Sequence, residues 1–397
     1  MAEPNLRFKR DDGTPFPAWA DVRFGDVFTE IVRKTSDTQT YPLFSLTIEN
    51  GVTAKTDRYE RSHLLKKDED NYKIVPPRAF VYNPMNLRFG ALAASHENRE
   101  VSVSQYYNVF VLNDETTLSF WEYYLVSDAM LQYYFSIATG SLIEKLRVHF
   151  SSFVNITKPV PCAEEQKKIA DFLSSVDEVI AASEEEVANL ETQKKAAMKK
   201  VFSQDVRFKR ADGSDFPEWE VKPFEEIALL MTASIDPSKA VKMHCVELEH
   251  LEQGSGQRLG FVEAENQSSK KRLFETGDVL FGKLRPYLRK YWLATEEGCC
   301  STEIWVLRPL SGVMSEYLLA IVSSDDFISV ANTSEGTKMP RATWDLVANA
   351  EFPVPSFEEQ SRISDFLSDF DEAIAAAKKE LKLWKDLKKG LLQQMFV

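Results

Sequence analysis

The chain has 397 residues, of which 44% are hydrophobic and 27% charged, and its formal net charge is −13. That apolar content supports two or three domains and excludes disorder by composition, while the acidic balance excludes a non-specific nucleic-acid coat and leaves only local basic patches open. The apolar runs fall far short of the roughly 18 residues that a membrane span needs. The opening MAEPNLRFKRDDG lacks the hydrophobic stretch of a leader, and four irregularly spaced cysteines (Cys162, Cys245, Cys299, Cys300) do not form a disulfide framework. A reducing, cytoplasmic setting with no membrane partner is expected.

In chain order, residues 1–160 form a mixed first domain. The runs YKIVPPRAFVYNP and SVSQYYNVFVL predict strands, and SFWEYYLVSDAMLQYYF predicts a helical stretch. Residues 161–204 follow as the central spacer, one long helix over 164–202. Its apolar positions, among them Ile169, Phe172, Leu173, Val176 and Val179, recur in steps of three and four, and Pro161 stands just before it. Residues 205–354 form a second mixed domain with strands at DVLFG and EIWVL and a helix at SEYLLAIVSS. Residues 355–397 form the C-terminal spacer, a long helix over 358–396 with Ile363, Phe366, Leu367, Phe370 and Ile374 on its stripe. Strands and helices do not alternate regularly, so the class is α+β.

The main fact is an internal duplication. RFKRDDGTPFPAW at 7–19 returns as RFKRADGSDFPEW at 207–219, an offset of 200, and PVPCAEEQKKIADFLSSVDEVIAA at 159–182 returns as PVPSFEEQSRISDFLSDFDEAIAA at 353–376, an offset of 194. Between them Phe80-Val81-Tyr82 aligns with Val279-Leu280-Phe281, Ser104 with Ser301, Gly140 with Gly336 and Phe150 with Trp344, at offsets of 199, 197, 196 and 194. Such an ordered decline is what two copies differing by short gaps produce. Charge along both helices is acidic first and basic last. This complements the helix dipole and lets two such helices pair antiparallel with opposite charges facing. The RFKR segment follows the first long helix and also opens the chain, so the plan is cyclic and the termini are expected to lie close together.

Chemistry-bearing motifs are missing. EQGSGQRLG has the wrong spacing for a dinucleotide loop, and no phosphate-binding G-x-x-x-x-G-K-[ST] is present. Tyr82-Asn83-Pro84-Met85 lacks the second proline of the Asn-Pro-Pro-Tyr motif of amino-methyltransferases. His244, Cys245 and His250 lack zinc spacing, and a strand histidine is the better reading. No Ser/His/Asp or Cys/His constellation is visible. A non-catalytic binding subunit with no metal and no cofactor of its own is expected.

Two clusters interleave basic residues with aromatics and Asn, as phosphate anchoring plus base reading requires. The first holds Lys55, Arg58, Arg61, Lys66, Lys67, Lys73 and Arg88, with Asn83 and Asn86. The second holds Lys270, Lys271, Arg272, Lys283, Arg285, Tyr287, Arg289 and Lys290, followed by Lys338 and Arg341 in GTKMPRATW. The first copy carries GSLIEKLRVHF where the second has GTKMPRATW.

The repeated P-x-P-x-x-E-E-Q-x-x-I-x-x-F-L-x-x-x-D before a long helix, together with YPLFSLTIENGV, YKIVPPRAFVYNP, VELEHLEQGSG, GDVLFGKLRPY and EGTKMPRATW, resembles the specificity subunit of type I restriction-modification systems over the whole chain. The resemblance implies two target-recognition domains, 1–160 and 205–354, separated by two antiparallel spacer helices and related by a pseudo-two-fold axis. It implies double-stranded DNA as ligand, each domain reading half of an asymmetric bipartite site. Two modification subunits that bind S-adenosylmethionine, and restriction subunits that use ATP and Mg, would be the partners. Two other readings stay open: a coiled-coil interaction protein without DNA, and a self-contained DNA enzyme.

Overall fold

A computed structural model describes residues 4–55, 72–142, 145–240, 242–333 and 339–396. The chain folds as two compact units. One comprises the chain up to Ala182 together with the stretch from Glu380 onward, and the other comprises Ser183–Lys379. Each unit therefore contains one mixed domain and part of both long helices.

The two units repeat one plan. In the first, an antiparallel sheet runs in the order Phe28–Glu30, Asn108–Leu112, Phe80–Tyr82, Leu92–Ala94. In the second, the order is Ala228–Met231, Ile304–Pro309, Val279–Gly282, Tyr291–Leu293. Both faces of each sheet are covered, and the period of two along a strand sorts the side chains. Phe80 and Tyr82 join Phe24, Trp121 and Phe153 beneath the helices, whereas Val81 joins Val75, Val103 and Val109 beneath a second layer of strands. Val279 and Phe281 likewise join Tyr317 and Phe327, and Leu280 joins Trp292 and Val306.

Among the described residues the second layer has three strands in the first unit (Lys34–Thr35, Tyr72–Val75, Val101–Val103). In the second it is five-stranded, with His244–Val246 parallel to Gly298–Cys300. YKIVPPRAFVYNP thus contributes strands to two different sheets, because Pro76-Pro77 interrupts the ladder between them. SFWEYYLVSDAMLQYYF is two helices, Leu118–Leu125 and Asp128–Ile137, and not one stretch. Ser127 ends the first and caps the second, its hydroxyl accepting from Met130 N. SEYLLAIVSS is followed by a second short helix, Asp325–Ala331, which Ser324 caps in the same way.

The duplicated anchors meet at the start of each long helix. The central helix spans Ala163–Phe202 and the C-terminal helix Phe357–Met395. A two-stranded clasp, Ala20–Arg23 on Thr157–Val160, brings the first RFKR segment to the first turn of the central helix. Glu220–Pro223 on Glu351–Val354 does the same for the C-terminal helix. Glu165 is fully buried there, and its two carboxylate oxygens accept from Arg7 Nε at 3.0 Å and Nη2 at 2.8 Å. Glu359, equally buried, accepts from Arg207 at 3.3 and 3.0 Å and from Trp219 Nε1 at 2.9 Å. The bond to Glu359 holds the Arg207 guanidinium above its usual range. The neighbouring glutamine anchors the turn itself: Gln166 Nε2 donates to Pro161 O at 2.7 Å, and Gln360 Nε2 to Pro355 O at 3.0 Å. Phe8 packs edge-on against Phe172, and Phe208 against Phe366, both at 5.5 Å.

The segregated charges pair between antiparallel helices within each unit. In the first, Lys388 near the end of the C-terminal helix meets Asp177 near the start of the central one, at 2.5 Å. In the second, Lys194 meets Asp371 at 2.5 Å and Lys378 meets Glu191 at 2.9 Å. The termini meet as the cyclic plan requires, with Leu6 N donating to Gln394 O at 3.1 Å. The same bond occurs inside the chain as Val206 N to Lys200 O at 3.2 Å. Phe396 packs on Tyr124 as Phe202 packs on Tyr317.

Replacing Glu359 by Ala removes three accepted bonds and leaves Arg207 without its buried partner. A loss of about 3–5 kcal/mol in urea unfolding is expected. Glu358→Ala next to it, whose carboxylate is exposed and 3.6 Å from Arg210, should cost no more than about 1 kcal/mol.

Candidate nucleic-acid interface

At the end of each four-stranded sheet the chain leaves a central strand, makes a short 3-10 turn and returns along the next strand. In the first unit the turn is Leu87–Phe89 within residues 83–90; in the second it is Pro286–Leu288 within 282–290. The two loops superimpose in sequence at the offset of 199 that relates their strands. A second segment docks on each. Val148 N donates to Pro84 O at 2.9 Å, and Ala342 N to Lys283 O at 2.8 Å.

The second loop is the more strained. Arg285 and Arg289 flank its turn with φ of 53° and 49°, a left-handed conformation that costs about 1–2 kcal/mol in a residue with a side chain. In the first loop Gly90 takes the position of Arg289, with φ of 92°. Arg285 N is tied to Pro340 O at 2.8 Å, so the two segments hold each other.

The predicted residues divide by what they touch. Arg285 and Tyr287 project from the second loop and are exposed, and Lys283 beside them is half-buried. Arg341 lies against this loop, exposed, its Nε donating to Glu303 Oε2 at 3.0 Å. Arg289 and Lys290 turn away. Arg289 binds Asp325 and Ser323 O at the wall of a cavity of about 690 Å³, and Lys290 donates to Leu248 O at 2.6 Å. Lys270 is exposed, and Arg272 is half-buried with its guanidinium on Thr232 O.

Lys271 is a correction to the surface cluster. Its position on the strand Lys271–Phe274 points it inward, where it is 4% exposed and donates to Glu247 Oε1 at 2.6 Å. In the first unit Asn83 is half-buried and its Oδ1 accepts from Met85 N at 3.0 Å, so it shapes the turn. Asn86 is exposed. Arg88 is a second correction: it is buried, with its guanidinium over the rings of Phe89 and Phe135 at 4.7 and 5.7 Å. Lys55 closes the hairpin that ends at Ala54 and is half-buried. Arg58, Arg61, Lys66, Lys67 and Lys338 lie outside the described residues, as do Gly336 and its neighbours.

Three residues at these sheet ends were missed from sequence. Arg147 is exposed and stands at the position of Arg341, and the offset of 194 between the flanking Phe150 and Trp344 was the available signal. Glu303 faces Lys283 through the bond from Lys283 N to Glu303 O at 2.9 Å, and Tyr106, 76% exposed, takes the matching position in the first unit. Away from this edge, His244 sits in its strand as expected and bonds Glu296 Oε1 at 2.9 Å. That bond, with Arg258 at 2.7 Å, holds the Glu296 carboxyl below its usual range. The four cysteines are free, three of them buried. Among the described residues no helix is long and apolar enough to cross a membrane.

This duplicated architecture has known relatives. The family profile of the type I restriction modification DNA specificity domain matches residues 18–192 and 218–383, one match per copy. The chain belongs to that family. The MjaVIII type I restriction enzyme specificity subunit of Methanocaldococcus jannaschii is 24% identical over 264 residues, covering 60% of this chain and 61% of the relative. The EcoDI specificity subunit of Escherichia coli is 24% identical over 148 residues, covering 36% and 33%. The chain thus spans less than two thirds of the length of these relatives.

Two solved structures share the fold of this specificity-family chain. One is the type I restriction-modification S subunit of M. genitalium, with a TM-score of 0.57 and 14% identity over 100% of this chain and 99% of that one. The other comes from a type I R-M system solved to explain its complex assembly and conformational transition. It has a TM-score of 0.57 and 16% identity over 96% and 98%.

Because Lys271 is interior and Lys270 is not, their substitutions should separate. Lys271→Met leaves Glu247 without its cation and should destabilise the second unit by about 3 kcal/mol in chemical denaturation. Lys270→Ala should change stability by less than about 0.5 kcal/mol.

Proposed function

We propose that this chain is the DNA-specificity subunit of a type I restriction-modification complex. It reads an asymmetric, bipartite duplex with one half-site per recognition domain. The observation that carries this is the repetition, in two domains of one family, of the same sheet end bearing exposed polar and cationic side chains. One chain then presents two similar but non-identical reading edges, which is what two different half-sites demand. A coiled-coil arm without DNA would leave both edges unexplained.

On this reading the chain supplies the address and not the chemistry. Two modification subunits would dock on the helices and domains and methylate adenine in each half-site with their own S-adenosylmethionine. Restriction subunits would add ATP- and Mg-dependent translocation and cleavage. The central helix, about 60 Å long at 1.5 Å per residue, runs from one unit into the other and would set the gap between half-sites.

Methylome sequencing of cells with and without the gene tests this directly. A bipartite motif methylated only when the gene is present is expected; no gene-dependent motif would refute the assignment. Phosphate anchoring predicts that log K falls with log salt by about 0.9 per neutralised phosphate. The double variant Lys270→Ala/Lys283→Ala should therefore flatten the slope by up to about 1.8 and leave the motif unchanged. Inserting seven residues at Ala182/Ser183 and seven at Lys379/Glu380 should lengthen the gap while both half-site sequences persist. New bases in either half would instead make the helices part of the reading surface.

A further inference from the structure

The two sheet ends correspond in strand register and in several backbone bonds, and the correspondence reaches residues outside the basic clusters. In the first unit Asn108 pairs with Tyr82, so continuing the antiparallel register places Tyr106 opposite Pro84. In the second, Ile304 pairs with Gly282, which places Glu303 opposite Lys283. The turns leading in are the same: Tyr106 N donates to Ser104 Oγ and Glu303 N to Ser301 Oγ, both at 3.4 Å. Lys283 N bonds Glu303 O, while Pro84 at the matching position has no N–H to give. The third segment is fixed by the bonds from Val148 N to Pro84 O and from Ala342 N to Lys283 O, which set Arg147 and Arg341 in equivalent places. Three loops therefore converge on one edge in each unit. They carry Asn86, Tyr106 and Arg147 in the first, and Arg285, Glu303 and Arg341 in the second.

Resting on the function proposed above, we infer that Arg147 and Arg341 are the equivalent base-reading residues of the two domains, each tuned by the residue at the 106/303 position. Arg341 is held by Glu303 through Nε, which leaves the outer edge of its guanidinium directed and available. A directed guanidinium fork matches the O6 and N7 acceptors of guanine in the major groove, and a carboxylate beside it accepts from the N4 amino group of cytosine. The second half-site accordingly contains a G·C pair read by Arg341 and Glu303. Arg147 has Tyr106 in place of the carboxylate. A tyrosine ring offers an apolar face and a hydroxyl but no anion, so the first domain reads its position without the charge-fixed geometry of the second. This difference in chemistry at the 106/303 position makes the two domains read that position differently.

The test uses the complex purified from cells and duplexes carrying single base-pair changes in one half-site or the other. Arg341→Ala and Glu303→Gln should each lower discrimination at one G·C pair of the second half-site tenfold or more and leave the first half unaltered. Arg147→Ala should do the same at one position of the first half only. Arg341→Lys and Arg147→Lys keep the charge and lose the fork. They should keep the salt slope and the melting temperature yet still relax the same position, which separates a lost base contact from a lost fold. Weakening that is uniform across all duplexes would make these residues phosphate contacts and overturn the inference. Relaxation in both halves at once would overturn it as well. If the wild-type complex shows no sequence preference in either half, the function proposed above fails and takes this inference with it.

Discussion

The whole architecture hangs on a buried carboxylate at the first turn of each long helix. Glu165 and Glu359 have no access to solvent, and an ionised carboxylate in that position is tolerable only with a cation and several hydrogen bonds. Arg7 and Arg207 provide both, bidentately, from a segment about 150 residues away in sequence. In the folded chain the two ends of the intervening domain are brought together by the edge-strand clasp beside this pair. The RFKR and E-E-Q motifs are thus two halves of one joint.

From that joint the helices inherit their direction, and their charges do the rest. Asp177 with Lys388, and Lys194 with Asp371, are partly exposed pairs, each worth at most about 1 kcal/mol. Their value is in register. An acidic beginning faces a basic end only when the helices run antiparallel, and a parallel pairing would set like charges against each other. Leu6 on Gln394 then closes the chain on itself with the same bond that Val206 makes to Lys200, so the first domain receives the C-terminal helix as the second receives the central one.

The loops at the sheet ends follow a different logic. The sheets beneath them bury aromatic and aliphatic side chains, Phe80, Phe110, Val279 and Phe281 among them, and the loops above vary over this shared base. Over the same backbone plan, Gly90 in one loop is Arg289 in the other, and Tyr106 is exchanged for Glu303. Even the strained φ of Arg285 is supported, because the loop is tied to Pro340 at one end and continues into a core strand at the other.

Much of this was legible in the sequence. The duplication, the α+β class, the two long helices to within one residue of their observed starts, the antiparallel charge complement and the meeting of the termini all rest on periodicity and repeated motifs, which are local or linear properties. What tertiary structure alone decided is which side chains of a mixed cluster face outward. Lys271 and Arg88 look like surface cations in a basic-aromatic run. A strand's alternation turns one toward Glu247, and a 3-10 turn lays the other across two phenylalanine rings. Arg289 and Lys290, adjacent to Arg285 and Tyr287, are drawn off to an aspartate and a carbonyl for the same reason. Conversely Tyr106, Arg147 and Glu303 lie outside both basic clusters, because each edge is assembled from three loops whose proximity depends on strand register. Linear patterns specify elements and their repetition. A binding edge depends on which faces those elements turn to one another, and that is settled only when the sheet has formed.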